Sequence, residues 1–134
     1  MRDTIQLAPG LRGRAESVVA DGNTAAAVGS GLLPVYSTPA MCGLMEEAAC
    51  AAVAECIEEG KGTVGTRLEI SHESATPRGM KVWAEALLTA VDGKFLTYKV
   101  RAFDEAGLIG KGVHQRCIIS VERFMSRCES KAGR

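Results

Sequence analysis

Polar and apolar positions change period near residue 60. From there on they alternate: Val64, Thr66, Leu68, Ile70 and His72 share one face of an extended chain, and Gly65, Arg67, Glu69 and Ser71 share the other. The same period of two predicts a strand over 80–91, with Met80, Val82, Ala84, Ala86 and Leu88 on one face. It returns over 94–103, with Leu96, Tyr98, Val100 and Ala102 alternating, and Asp92-Gly93 between the two is a tight-hairpin signal. Residues 75–79 and 104–107 read as turns, 108–121 as the last strand, and 122–134 as a polar tail.

Upstream the period is helical. Thr38 reads as N-cap with Pro39 at the first helical position, and an alanine-rich run continues from 40 to about 59, stopping at Gly60. Glu47, Ala51, Ala54, Glu55 and Glu58 mark its solvent face; Met41, Leu44, Met45, Ala48, Ala52 and Cys56 lie opposite. Before it, 7–14 enters a first strand continued by 15–20, Asp21-Gly22-Asn23 turns, 25–28 forms a short strand, and 29–37 is a Gly/Ser/Pro-punctuated loop. One or two strands, one long helix and then four strands in a meander predict an α+β fold, an antiparallel sheet curled around one central helix.

Composition narrows the function classes. The chain has 134 residues, enough for a single domain over 1–134, with the polar tail from about 125 outside its packed part. Sixteen basic residues balance sixteen acidic ones, and aromatics make up 4%. Both argue against nucleic acid as a partner, since affinity for it rests on basic charge and stacking platforms. Five cysteines, an odd number with no C-x-x-C spacing, give neither a disulfide framework nor a metal site, and reduced thiols point to the cytoplasm. Met1-Arg2-Asp3-Thr4 lacks an apolar signal core. The uncharged stretch from Gly22 to Met45 is long enough to span a bilayer but is broken by Gly, Ser, Thr, Asn and two prolines, so it reads as buried or ligand-facing.

Three residues are candidates for chemistry. Glu46 has Cys42, Gly43, Ala49 and Cys50 as its i±3 and i±4 neighbours, all small and uncharged, so its carboxylate would be partly desolvated; a surface glutamate favoured by the helix dipole is the plainer alternative. His72 ends the apolar face of its strand, where it serves either proton transfer near neutrality or a structural hydrogen bond. Thr38 caps a helix by default, yet the same hydroxyl at a helix N-terminus can face developing negative charge. On the last strand His114 and Arg116 share a face, and Arg116 could meet a carboxylate or a phosphate or stand solvated. Cys42 and Cys50 lack a nearby histidine for a nucleophile's role, and Gly60-Lys61-Gly62-Thr63 lacks the spacing of a phosphate-binding loop.

Several segments together resemble the fluoroacetyl-CoA thioesterase-like branch of the hot-dog superfamily. They are Gly43-Leu44-Met45-Glu46, Gly65-Thr66, the run from Ser71-His72 through Ala75-Thr76-Pro77-Arg78-Gly79, and Gly112-Val113-His114-Gln115-Arg116 with Glu122-Arg123-Phe124 after it. The resemblance covers roughly residues 30–125. It implies a hot-dog fold, a catalytic set on Thr38, Glu46 and His72, a glycine near the acyl group at Gly65, and a substrate-side arginine at Arg116. It also implies a homodimer joined edge to edge with its sites near the interface. Where the fluoroacetyl-specific pattern has a phenylalanine in the loop before the helix, this chain reads Gly31-Leu32-Leu33-Pro34-Val35-Tyr36, so the resemblance leaves the fluoroacetyl preference open. The aliphatic Leu32, Leu33 and Val35 point instead to an apolar acyl group.

The resulting expectation is a thioester hydrolase acting on a small acyl-CoA, with no metal, no membrane and no cofactor beyond the coenzyme A of its substrate. The helix N-terminus near Thr38 would polarise the carbonyl, Glu46 would act as base or nucleophile, and His72, held by Thr38 or Glu46, would move protons. The alternative is a non-catalytic protein of the same fold that binds an acyl-CoA or small acid, and a dehydratase of that fold comes third.

Overall fold

The computed structural model describes residues 6–133, so the expectation made for residues 1–4 lies outside it. In chain order the elements are β1 (Arg12–Val18), α1 (Ala25–Val28), α2 (Thr38–Val53), β2 (Lys61–His72), β3 (Lys81–Asp92), β4 (Phe95–Asp104), β5 (Gly107–Ser120) and α3 (Val121–Ser130). The strands form one antiparallel sheet in the order β1-β3-β4-β5-β2. A curled sheet against a long helix is the architecture expected.

The core lies between α2 and one face of the sheet. Met41, Leu44, Met45, Ala48 and Ala52 are buried on the helix as its wheel predicted, with Ala49 and Val53 added. They meet Val82, Ala84, Ala86 and Leu88 from β3 and Leu96, Tyr98, Val100 and Ala102 from β4, the alternating sets read from the sequence. Burying a large apolar side chain contributes about 1.5–3 kcal/mol relative to leaving it exposed. Alanine on the helix and glycine on the sheet allow close approach: a Cβ on Gly13 would collide with the backbone of Ala48 and Ala52.

Five expectations are corrected. Residues 25–28 form a helical turn and not a strand, because Thr24 caps it through Ala27 N–H and Gly29 closes it at φ 77°, around alanines that favour helix. The N-cap of α2 is Ser37, whose Oγ accepts from Ala40 N–H at 3.1 Å; Thr38 is the first helical residue. The helix stops at Val53, six residues before Glu59, with Glu55, Glu58 and Glu59 clustered at the negative end of its dipole and no basic residue in its last turn. The strands after α2 are not a four-strand meander: β3, β4 and β5 are, but β2 pairs with β5 at the far edge, so the chain crosses from one side of the sheet to the other after His72. The polar tail contains α3, with Glu122 in its first turn and Arg127 in its last, both suited to the dipole.

Candidate functional site

A register shift in β2 decides which residues face α2. Gly65 pairs with Arg116 and Arg67 pairs with Gln115, so Thr66 is the extra residue of a bulge. The bulge inverts the alternation read from the sequence. Thr63 and Gly65 join Leu68, Ile70 and His72 on the helix-facing side, opposite the inward His114 and Arg116. A strict period of two puts Gly65 on the outer face, whereas the family resemblance implies a place for it near the acyl group.

The first cluster stands at the N-terminus of α2. Thr38 Oγ1 lies 2.7 Å from His72 Nδ1. With Ser37 serving as cap, the Thr38 hydroxyl is free for this bond. His72 is half-buried, and burial lowers its pKa, offset in part by a hydrogen bond with the Ser74 backbone. Its Nε2 is buried and has no protein partner. A neutral imidazole with one nitrogen fixed and the other free is equipped to take a proton. Thr38 and His72 line a cavity of about 240 Å³ together with Val35, Tyr36, Glu73 and Ser74. Burial raises the Tyr36 phenol to about 12, so it stays protonated.

The second cluster lies eight residues along the helix. Glu46 Oε2 accepts from Arg116 Nη1 at 3.1 Å. Arg116 also donates through Nε to Thr63 Oγ1 at 3.0 Å and through Nη2 to Thr63 O at 2.9 Å. Its side chain is 7% exposed, whereas that of Glu46 is 44% exposed, so the glutamate is more open in a single chain than its small helical neighbours suggested. Gly65 is what lets the carboxylate rest on the sheet: a Cβ there would lie 2.6 Å from Glu46 Oε2.

Of the residues picked out by sequence, the structure joins Thr38 to His72 and Glu46 to Gly65 and Arg116. No hydrogen bond links the two clusters among the described residues, and eight helical residues separate Thr38 from Glu46 by about 12 Å. Val35 lines the cavity at Thr38, while Leu32 and Leu33 stand out at 93% and 65% exposure. His114 is a residue whose place in the second cluster the sequence did not reveal; its alternation with Arg116 was the only signal. Among the described residues no group of three His, Cys, Asp or Glu is placed to hold a metal, and no helix is long and apolar enough to cross a membrane.

Comparison with known proteins gives concordant matches. Residues 19–122 match the model of the fluoroacetyl-CoA-specific thioesterase family. The fluoroacetyl-CoA thioesterase of Streptantibioticus cattleyicolor is 39% identical over 97 residues, covering 72% of this chain and 70% of that protein. A solved structure of the fluoroacetyl-CoA thioesterase FlK superposes with a TM-score of 0.89 at 32% identity, covering 95% of this chain and 98% of that one. A hot-dog-like protein from Thermanaerovibrio acidaminovorans shares the fold, with a TM-score of 0.82 at 22% identity over 92% of this chain and 91% of that one.

Proposed function

The chain belongs to the fluoroacetyl-CoA-specific thioesterase family, a branch of the hot-dog thioesterases, and from that membership we propose that it hydrolyses a small acyl-CoA thioester through Thr38, Glu46 and His72 at a site shared between two copies. Water adds to the thioester carbonyl, the carbon–sulfur bond breaks, and the thiolate takes up a proton, giving a carboxylate and free coenzyme A. Glu46 acts on the carbonyl carbon, as base on water or as nucleophile through an anhydride. His72, oriented by Thr38, moves the proton, and the positive end of the α2 dipole favours the developing oxyanion. This chemistry draws on side chains alone, and coenzyme A enters as part of the substrate. Five free thiols suit a reducing compartment, the cytoplasm.

The observation that carries the shared site is the separation of the two clusters. A thioester carbonyl is far smaller than about 12 Å of helix, so Thr38 and Glu46 of one chain do not both reach it. β2 is an edge strand of twelve residues, long enough to pair with another chain. A two-fold, antiparallel pairing centred on Glu69 pairs Ile70 with the partner's Leu68, so the helix-facing residues of both copies stay on one side, and it sets His72 against the partner's Gly65-Thr66 bulge, which brings Thr38–His72 to the partner's Glu46. The homodimer is thus part of the proposal.

Thiol release from a panel of short acyl-CoAs tests the activity. Glu46→Gln and His72→Ala are each expected to lower kcat about 10²–10⁴-fold. Near-normal turnover in both variants would refute the residue assignment. Thermal stabilisation by acyl-CoA with no thiol released by the wild type would mark a binding protein instead.

A further inference from the structure

His114 lies outside the mechanism above, yet it is the more deeply buried of the chain's two histidines, at 1% exposure. Its Nδ1 is 2.7 Å from the carbonyl oxygen of Arg67. A carbonyl only accepts, so Nδ1 carries the proton and donates, leaving the Nε2 lone pair free in the neutral ring. That lone pair lies 3.3 Å from Arg116 Nη1, a nitrogen that only donates. The same Nη1 donates to Glu46 Oε2 at 3.1 Å. Both acceptors therefore draw on one amino group of the guanidinium, while Thr63 holds Nε and Nη2.

Four elements pack on this ring and fix its surroundings. From β4 the Tyr98 ring stacks on it, with centroids 6.0 Å apart and planes at 28°. From β2 the Arg67 carbonyl fixes the tautomer, and it belongs to the first residue paired after the Thr66 bulge. From β5 the Arg116 guanidinium stands against Nε2, and from α2 the Glu46 carboxylate lies just beyond. Burial lowers the His114 pKa; its bond to the Arg67 carbonyl and the Glu46 charge oppose this, and the Arg116 charge adds to it. A protonated ring would point an N–H at the guanidinium and lose the bond.

We infer that neutral His114 is a positioning residue, accepting a hydrogen bond from Arg116 so that the guanidinium is turned to hold the Glu46 carboxylate over Gly65. The inference rests on the reading of Glu46 as the group acting on the thioester. It gives the β2 bulge a second purpose: besides bringing Gly65 beneath the carboxylate, it is where the carbonyl that selects the His114 tautomer is presented.

The test uses two substitutions that divide the ring's hydrogen bonds. In His114→Gln the carboxamide oxygen can occupy the place of Nε2 and accept from Arg116. In His114→Asn the shorter side chain keeps a donor for the Arg67 carbonyl and loses Arg116. Steady-state kinetics on a small acyl-CoA are measured for both, for Glu46→Gln, and for the Glu46→Gln/His114→Asn double variant, with Tm recorded for each. Misplacing the carboxylate by about 1 Å is expected to cost about 100-fold in kcat for His114→Asn, with KM little changed. His114→Gln should recover most of that loss, and in the Glu46→Gln background His114→Asn should add no further loss. A drop in Tm with kcat retained in His114→Asn, failure of Gln to rescue, or additive losses in the double variant would overturn the inference while leaving Glu46 in place. A Glu46→Gln enzyme that turns over normally would overturn both. Should His114→Asn fail to fold, nitrogen NMR of the wild-type ring decides: the inference requires a protonated Nδ1 and an unprotonated Nε2 at neutral pH, and the opposite pattern contradicts it.

Discussion

Gly65 shows how one missing methyl group can matter to a site. The Glu46 carboxylate, Arg116 Nη1 and the His114 ring surround the space a Cβ would occupy, at 2.6, 3.4 and 3.4 Å. The nearest atom is the end of a flexible side chain, so Gly65→Ala is expected to fold with Tm almost unchanged while Glu46 swings aside. A carboxylate displaced by about 1 Å costs about 100-fold in kcat. Loss of kcat with Tm preserved supports this; unchanged kinetics would show that Glu46 is not held against the strand. At this scale residue types were legible in the sequence and contacts were not. Thr38, Glu46 and His72 stood out by their neighbours, but the sharing of cap and hydroxyl between Ser37 and Thr38 depends on where the first helical turn begins, within one residue.

Among the elements, α2 and β1 depend on each other for their close packing. Gly13 faces the backbone of Ala48 and Ala52 with no room for a side chain. Gly13→Ala should therefore lower stability by about 1–3 kcal/mol, through overpacking that forces β1 off the helix. Chemical denaturation reads this directly, and an unchanged midpoint would contradict the close approach. The hydrophobic pattern revealed the strands well, since β4 is half-buried with uninterrupted alternation and β3 alternates from Val82 to Leu88, ahead of its register shift at Thr89. It failed at β2, where a bulge adds one residue and reverses every assignment before it. It also failed at Ala25–Val28 and at Val121–Ser130, where caps and dipole charges, not burial, make the helix; neither segment has a fully buried residue.

For the whole molecule, the sheet order places β2 at an edge with the helix-facing residues of both clusters on or beside it. Local sequence could not reveal this, because it follows from the crossover between β2 and β3. The zero net charge fits a protein whose cations are spent on local ion pairs, such as Arg116 with Glu46, more than on a polyanion. The uncharged run from Gly22 to Met45 supplies Val35, Tyr36 and Thr38 to the cavity at His72, so part of this segment faces a cavity and not the core. In the proposed dimer, the two clusters become one site when a second copy is joined along β2.

Subunit mixing tests that claim most directly. His72→Ala and Glu46→Gln, each nearly inactive alone, are co-expressed under different affinity tags, and hybrid dimers are isolated and assayed for thiol release. In a two-fold dimer with shared sites, each hybrid carries one site with both substitutions and one with neither, so the account predicts about half of wild-type activity per hybrid dimer. Hybrids as inactive as their parents would contradict it and place each complete site within a single chain.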